Sequence, residues 1–474
     1  MKTLIRIVIY VFAMQNCFAQ SISEKLGKAY RQFESDEQLQ HAISSLYVID
    51  AATGKILFDR NSKIGLAPAS TQKVITAATA FELLGKDFRY KTELSFFKDS
   101  QLSKESYFIT GSGDPTFGSD RYVSTVDTVI LAQFFNAFKA RATEKNKIDL
   151  LILNKSISDI PDGWIWQDIG NYYGAYSSTL NWKENQYDLF FHSNKPGDPA
   201  ELIDITPRIP DVVFNNKGVS GATGSGDDAY IYYSPGTDTL LVQGSVPPNK
   251  NSFGISGSMP DPERIFLHQF VAYFSDVKRR SPVEILQVQE KEDLGKLSGR
   301  LQGSGAYKSI NIYTHYSPTM DSIIYWFLRK SINVYGEALV KTFGDYKPGS
   351  GSSSRDSGIV KLKNFWKQKG IDVNELNLYD GSGLSPLNRV TTHAQVQVLA
   401  YAKKRNWFKY YYDALPEYNG MKMKSGTIGD VKSFCGYHVS KAGNEYIFSF
   451  IVNNYSGSSA TLVNKMFKVL DILK

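Results

Sequence analysis

The sequence predicts an α/β protein in which a helix-and-sheet body is interrupted by a strand-rich insertion. Three observations carry this. Helical periodicity is confined to two regions, near the N-terminus and from residue 261 onward. Between them, from about Tyr90 to Gly257, short strand-like runs alternate with Gly/Asp/Pro turns, as in Thr110-Gly111-Ser112-Gly113-Asp114-Pro115, Asn215-Asn216-Lys217-Gly218 and Gly221-Ala222-Thr223-Gly224-Ser225-Gly226-Asp227. At 474 residues the chain is also too long for a single core.

Taken in order, residues 1–19 read as a secretory signal: Lys2 and Arg6 at the start, an apolar centre from Ile7 to Met14, and Cys17-Phe18-Ala19 as a small-x-small cleavage site. Met14-Gln15-Asn16 lacks the small and aliphatic residues expected before a lipidated Cys17. The expectation is therefore export to the periplasm after cleavage at Ala19, with no transmembrane segment in the mature chain. Cleavage leaves 52 basic and 47 acidic residues, a net of +5. That excess is mild and unclustered, which argues against nucleic acid as a partner. Cys435 is then the one remaining cysteine, so no internal disulfide is expected.

Residues 23–45 read as a helix with Leu26, Tyr30, Phe33, Leu39 and Ile43 as its apolar stripe. Leu46–Asp50 and Lys55–Asp59 read as a hairpin around Thr53-Gly54. A helix carrying Ser70 follows, through Val74, Ile75, Ala78 and Phe81 to Leu84, stopped by Gly85. Helices return at 261–274 and 318–343, with a break at Ser331, and Gly349–Ser354 reads as a flexible loop. Lys424-Ser425-Gly426-Thr427 precedes two strand-like runs, 432–440 and 446–453, and 460–473 is an amphipathic helix suited to core packing.

The chemistry lies in three motifs. Ser70 and Lys73 are one helical turn apart, so an amine can take the hydroxyl proton without a histidine. The same spacing at Ser95/Lys98 and Ser275/Lys278 shows that it is cheap. Pro68 suits a helix start, placing Ser70 where free N–H groups and the positive dipole end assist an oxyanion. Ala67, Ala69, Ala77, Ala78 and Ala80 mark tight packing around it, and burial would deprive Lys73 of its charge. Ser331-Ile332-Asn333 offers a hydroxyl to relay a proton and an amide to hold the lysine. Lys424 offers positive charge, Ser425 and Thr427 hydroxyls for a carboxylate, and Gly426 a close approach to the backbone.

In this order, behind a signal segment, the three motifs resemble those of penicillin-binding proteins and serine β-lactamases. The long interval between the first two resembles the class C penicillin-binding proteins, the D-alanyl-D-alanine carboxypeptidase/endopeptidase family. So do Gly113-Asp114-Pro115-Thr116, Gly163-Trp164-Ile165-Trp166-Gln167-Asp168, His315-Tyr316-Ser317-Pro318 and Asp380-Gly381-Ser382-Gly383-Leu384-Ser385. The resemblance implies a serine β-lactamase/DD-peptidase-like domain, an antiparallel sheet flanked by helices, formed by 20–90 and 255–474, with one or two small β-rich domains inserted at 91–254. It implies hydrolysis of peptidoglycan stem peptides through an acyl-enzyme on Ser70, with β-lactam antibiotics trapping the same serine. Lys73 would be the base, Ser331 and Asn333 the relay, and Lys424, Ser425, Gly426 and Thr427 the carboxylate and oxyanion side. Asp168 would reach in from the insertion to bind the free amine of a diamino acid.

Two departures bear on specificity. Ser425 stands where the family usually has threonine, and Pro386 stands where an arginine often follows the Asp380–Ser385 run. A β-lactamase is the nearest rival and the long insertion speaks against it. A catalytically silent peptidoglycan-binding protein would have lost motif residues that are intact here. No cofactor or metal is implied: His41, His192, His268, His315, His393 and His438 are dispersed, with no His-Glu-x-x-His run. Nor is there a Gly-x-Ser-x-Gly elbow or a phosphate loop.

Overall fold

The computed structural model describes residues 21–99, 104–141, 148–153, 160–277, 285–288, 310–344 and 354–474. The expected signal segment, Cys17 included, lies outside the described residues, as do residues 349–353 of the expected flexible loop.

Helix α1 (Ile22–Glu34) opens on a reciprocal Ser21–Glu24 capping box and buries Leu26, Tyr30 and Phe33. It stops well short of the expected residue 45. Asp36 caps a separate 3-10 turn, Glu37–Leu39, and Ile43 starts strand β1 (Ile43–Asp50) instead of ending a helical stripe. Strand β2 (Ile56–Arg60) pairs back on β1 across a turn with Gly54 at φ +74°. A 3-10 turn, Ala69–Gln72, then leads into α2 (Lys73–Leu83), buried at every position from Lys73 to Phe81. A helix apolar all round belongs at the centre of a protein, and α2 is there.

The inserted unit begins with β3 (Lys91–Asp99), β4 (Lys104–Gly111), α3 (Asp127–Arg141), β5 (Ile148–Leu153) and the single turn α4 (Trp166–Ile169). It continues through β6 (Gln186–Ser193), β7 (Glu201–Thr206), β8 (Val213–Ser220), β9 (Tyr230–Tyr233), β10 (Thr239–Val246) and β11 (Lys250–Ser258). It ends with α5 (Pro262–Val277), β12 (Ile285–Val288) and β13 (Ile310–Tyr316). A mixed sheet in the order β12-β5-β4-β3-β13 stands beside two three-stranded sheets, β8-β10-β9 and β11-β6-β7.

Two expectations need correction here. The segment contains a 15-residue helix, α3, which strand-like composition concealed. Its buried Ile130, Leu131, Phe134, Phe135 and Phe138 line one helical face, but Val129, Ala132, Ala137 and Ala140 outside that face blur the contrast in the sequence. The second core also reaches past residue 254: Ile265, Phe266 and Phe270 of α5 belong to it, Ile312 and Tyr313 pack on it, and β13 pairs with β3. The chain leaves and re-enters the body along adjacent antiparallel strands, which sequence periodicity does not reveal.

The body resumes with α6 (Met320–Arg329), α7 (Asn333–Phe343), α8 (Ser354–Gln368) and the small ladder of β14 (Leu376–Asn377) with β15 (Arg389–Val390). Then come α9 (Thr392–Lys403), α10 (Phe408–Ala414), β16 (Glu417–Tyr418), β17 (Met421–Ile428), β18 (Val431–Val439), β19 (Glu445–Asn453) and α11 (Ser459–Leu470). The main sheet runs β16-β17-β18-β19-β1-β2, antiparallel throughout. Alternation places Tyr47 and Ile49 on one face, against α2 and the helices around it, and Leu46 and Val48 on the other, against α1 and α11. Helix α11 buries Leu462, Met466, Val469 and Leu470, the core packing its amphipathic pattern suggested. Among the described residues, no helix is long and apolar enough to cross a membrane.

The crossing of α7 and α8 depends on a glycine: a Cβ on Gly358 would lie 1.8 Å from the Val340 carbonyl oxygen. Gly358→Ala is expected to destabilise the protein by roughly 3 kcal/mol, the upper range of overpacking. Thermal denaturation checks this; an unchanged melting temperature would refute it.

Candidate active site

Residues from three separated stretches meet at the N-terminal end of α2. Ser70 lies on the 3-10 turn ahead of the helix and is half-buried, whereas Lys73 is fully buried. The turn is tight. Ala69 sits at φ +47°, a left-handed conformation that L-residues avoid, and is held there from two sides. On one side a Cβ at Gly383 would come 2.0 Å from the Ala69 carbonyl oxygen. On the other, a Cβ at Gly426 of β17 would come 2.9 Å from the Ser70 nitrogen and 2.7 Å from the Pro68 oxygen. Gly426 is thus required by the packing of the strand against the serine turn, a constraint beyond the ligand approach first assigned to it.

The Lys73 Nζ has three neighbours in hydrogen-bonding range: Ser70 Oγ at 2.9 Å, Asn333 Oδ1 at 2.6 Å and the Ser382 carbonyl at 2.8 Å. A neutral amine has two N–H bonds and one lone pair. The amide oxygen and the carbonyl can only accept, so they take the two N–H groups, and the lone pair is left for the Ser70 hydroxyl to donate into. Burial drives the Lys73 pKa well below its ordinary value, with repulsion from Lys424 adding to it; Asp380 and Glu337 oppose the shift.

Each of these partners is itself fixed. Asn333 is the first residue of α7 and donates its Nδ2 to the Tyr173 carbonyl at 2.7 Å, which turns its Oδ1 toward Lys73. The Ser382 carbonyl belongs to a turn built around the buried Asp380 carboxylate. That carboxylate accepts from Gln72 Nε2, Trp164 Nε1, Asn388 Nδ2 and the Gly383 and Ser385 N–H groups. Glu337, one turn beyond Asn333, accepts from the Gly381 N–H at 3.2 Å, and burial pushes its pKa up to about 8.

Ser331 stands in the break between α6 and α7 at φ +59°, two residues before Asn333 and half-buried; among the described residues its hydroxyl has no hydrogen-bond partner. Lys424 is buried on β17 beside this cluster, donates to the Ser425 carbonyl at 2.8 Å, and is lowered to about 7 by burial. Thr427 is exposed and its Oγ1 accepts from Lys432 Nζ at 2.7 Å. Asp168 lies on α4, close enough to Tyr173 to act on it electrostatically, and partial burial raises its carboxyl to about 6. Pro386, where the family arginine was expected, offers its carbonyl to the Arg389 guanidinium.

Sequence reasoning missed Tyr173, the Ser382 carbonyl, Glu337 and Lys432. Two of these, Tyr173 and Ser382, act through their own backbone carbonyls, which no residue pattern announces. Glu337 was open to detection, as an acid four residues from Asn333 on the same helical face. Among the described residues, no group of three His, Cys, Asp or Glu side chains could hold a metal ion.

The sequence pattern of the D-Ala-D-Ala carboxypeptidase 3 (S13) family matches residues 27–417. A D-alanyl-D-alanine carboxypeptidase of Actinomadura sp. (strain R39) is 27% identical over 468 residues, covering 92% of this chain and 82% of that protein. The D-alanyl-D-alanine carboxypeptidase DacB of Haemophilus influenzae is 22% identical over 432 residues, covering 85% and 83%. The crystal structure of penicillin-binding protein 4 from Haemophilus influenzae matches with a TM-score of 0.71 at 18% identity, over 95% of this chain and 99% of that one. The fold is that of this penicillin-binding protein, a helix-flanked antiparallel sheet carrying β-rich additions.

The depressed Lys424 pKa has a consequence for stability. The unfolded lysine titrates near 10.5 and the folded one near 7, so between these values the unfolded state binds more protons and stability rises with pH. Lys424→Met, similar in volume and uncharged, is expected to remove this slope and to stabilise the protein by up to ~4 kcal/mol at pH 7. Denaturant titrations from pH 7 to 10 measure it; parallel curves for the two proteins would contradict it.

Proposed function

The chain belongs to the D-Ala-D-Ala carboxypeptidase 3 (S13) family, and on that premise we propose that Ser70 cleaves peptidoglycan stem peptides through an acyl-enzyme. The observation that carries this reading is the fully buried Lys73 Nζ 2.9 Å from Ser70 Oγ, its other two neighbours, Asn333 Oδ1 and the Ser382 carbonyl, being uncharged acceptors. Ser70 Oγ attacks the carbonyl between two D-alanines, or between D-alanine and a cross-linking diamino acid, while Lys73 accepts its proton. The carbon–nitrogen bond then breaks, and Ser331 relays the proton held on Lys73 to the departing amine, which leaves Lys73 neutral again. Water then attacks the acyl carbon, Lys73 takes the water proton and returns it to Ser70 Oγ as the ester bond breaks.

Asn333 holds Lys73 in place throughout. Lys424, with the Ser425 and Thr427 hydroxyls, receives the terminal carboxylate. The Ser70 and Thr427 N–H groups, from the two segments that meet at Gly426, stabilise the oxyanion. β-Lactam antibiotics carry an acylating carbonyl and a carboxylate in one molecule and acylate the same serine. The carboxypeptidase reaction and the endopeptidase cut of a cross-link use one mechanism and differ in the leaving amine.

Asp168 is assigned to that amine side: half-buried, without a bonded cation among the described residues, and ionised only above about pH 6. The proposed organisation is a catalytic domain interrupted by an inserted unit that begins near residue 91, runs past the expected 254 through β13 (Ile310–Tyr316), and supplies Asp168. The basic and apolar character of residues 1–19 supports export to the periplasm, where the substrate is.

A labelled penicillin is expected to attach covalently to the purified protein, and Ser70→Ala to abolish the attachment. Mass mapping of the adduct to any other serine would overturn the assignment. Asp168→Ala should cost about tenfold more in kcat/KM on a stem peptide with a free diamino-acid amine than on an acyl-D-Ala-D-Ala, through loss of one charge-assisted bond. In the parent protein that preference should grow as pH rises through about 6, where the carboxyl ionises. Equal losses on both substrates would remove Asp168 from substrate binding.

A further inference from the structure

Glu184 is a buried carboxylate of the inserted unit, and its four hydrogen bonds come from three residues. It accepts from Ser119 Oγ at 2.7 Å, from Arg121 Nε at 2.7 Å and Nη2 at 3.0 Å, and from the Tyr335 hydroxyl at 2.8 Å. Tyr335 is fully buried on α7, two residues beyond Asn333. Arg121 lies 5.3 Å from the ring of Trp326 on α6. The carboxylate therefore ties together the two helices on either side of the break that carries Ser331 and Asn333.

Its own backbone is an independent sign that this placement matters. Lys183, Glu184 and Asn185 take φ of +52°, +57° and +53°, three successive left-handed residues, none of them glycine. Crowding between Cβ and carbonyl disfavours each of these, so the run persists only because its surroundings over-determine it. The Lys183 ammonium is held by Asp127 at 2.7 Å and its N–H by the Phe117 carbonyl; Asn185 Nδ2 donates to the Tyr176 carbonyl at 2.7 Å. Tyr176 and Tyr173 belong to the same short segment, and the Tyr173 carbonyl holds Asn333. Helix α7 is thus gripped by the insertion at Asn333 and, on its opposite face, at Tyr335.

We propose that Glu184 is a positioning residue of the acyl-transfer site, through which the inserted unit fixes Tyr335 and thereby holds Asn333 and Ser331 in register with Lys73. The role rests on the acyl-transfer reading above. It makes the insertion a structural part of the reaction centre as well as a wall for substrate.

The test measures acylation of the full mature chain by a fluorescent penicillin, separating the limiting acylation rate from the half-saturating concentration. Tyr335→Phe removes a single hydroxyl and should lower the limiting rate by about tenfold, with half-saturation changed less than about twofold, because a displaced Asn333 disturbs the reacting geometry and not penicillin binding. Glu184→Ala should do the same. The double variant should be no slower than Glu184→Ala, since both changes break one linkage. Glu184→Gln keeps an oxygen for Tyr335 and should recover most of the rate. A parent-like limiting rate in Tyr335→Phe, whatever its melting temperature, overturns the proposal, as do losses that multiply in the double variant. Should Glu184→Ala fail to fold, Tyr335→Phe and Glu184→Gln decide alone. Absence of labelling in the parent protein would instead overturn the acyl-transfer reading and this role with it.

Discussion

A lysine amine kept from water, with no carboxylate among its bonded partners, is the constraint around which this protein is built. In water an ordinary lysine costs about 4–5 kcal/mol to deprotonate at pH 7. Burying Lys73 transfers that cost from the reaction to the fold, where a large apolar core offsets it. Helix α2 supplies the means. With Val74, Ile75, Ala77, Ala78, Ala80 and Phe81 all buried, its first turn is anchored from every side, so Lys73 cannot swing out to solvent. An exposed helix carrying the same Ser-x-x-Lys spacing would keep its lysine charged, and the charged form has no lone pair for the serine proton. Chemistry and packing are here one requirement.

The neighbours of Lys73 follow from the same requirement. Two acceptors must occupy its N–H groups without bringing a formal negative charge. An amide oxygen and a peptide carbonyl meet this, and a carboxylate would not. Both then need support, since neither is rigid alone. Asn333 obtains it from the Tyr173 carbonyl, and Ser382 from a turn organised around the Asp380 carboxylate with its five donors. One of those donors, Trp164 Nε1, comes from the inserted unit, as do Tyr173 and Glu184. The second core, with Phe117, Trp182 and Phe266 packed edge to face, keeps the inserted segments rigid enough to serve.

Much of this centre was legible in the sequence. Ser70, Lys73 and Asn333 meet within hydrogen-bonding distance, and Lys424 lies close enough to repel Lys73. Side-chain chemistry at short spacing is visible in a string of letters. The return of the chain through β13 was not, because antiparallel pairing of β13 with β3 joins residues more than two hundred positions apart. Helix α3 escaped for a different reason: its buried face is clear only in the fold, since Val129, Ala132, Ala137 and Ala140 weaken the apolar contrast around the helix. Glu184 had no signal at all: its importance comes from a left-handed backbone run and from Tyr335, a contact across 151 positions. The same holds for the Ser382 carbonyl, which any residue type could have provided. What the pattern conveyed was the set of side chains that meet around Lys73, and what it withheld was the scaffolding that aims them.

The titratable groups around the serine share a tendency that bears on how the reaction starts. Lys73 is driven well below its ordinary range, Lys424 to about 7 and Glu337 up to about 8, in each case chiefly by burial. All three are moved toward their uncharged forms. Protein donors surround the Asp380 carboxylate on both oxygens. The resting site thus carries little uncompensated charge of its own. The proposed acyl transfer would create charge there, an ammonium on Lys73 and an oxyanion beside the Ser70 turn. Groups arranged with few counter-charges at rest interact more strongly with those new charges than with the neutral ground state, and only such a difference accelerates the chemical step. In the proposed reaction the substrate carboxylate adds to the effect on arrival, since its charge favours the protonated form of Lys424. Burial therefore does more than free a base. It sets the electrostatic starting point from which the transition state is the better-bound species.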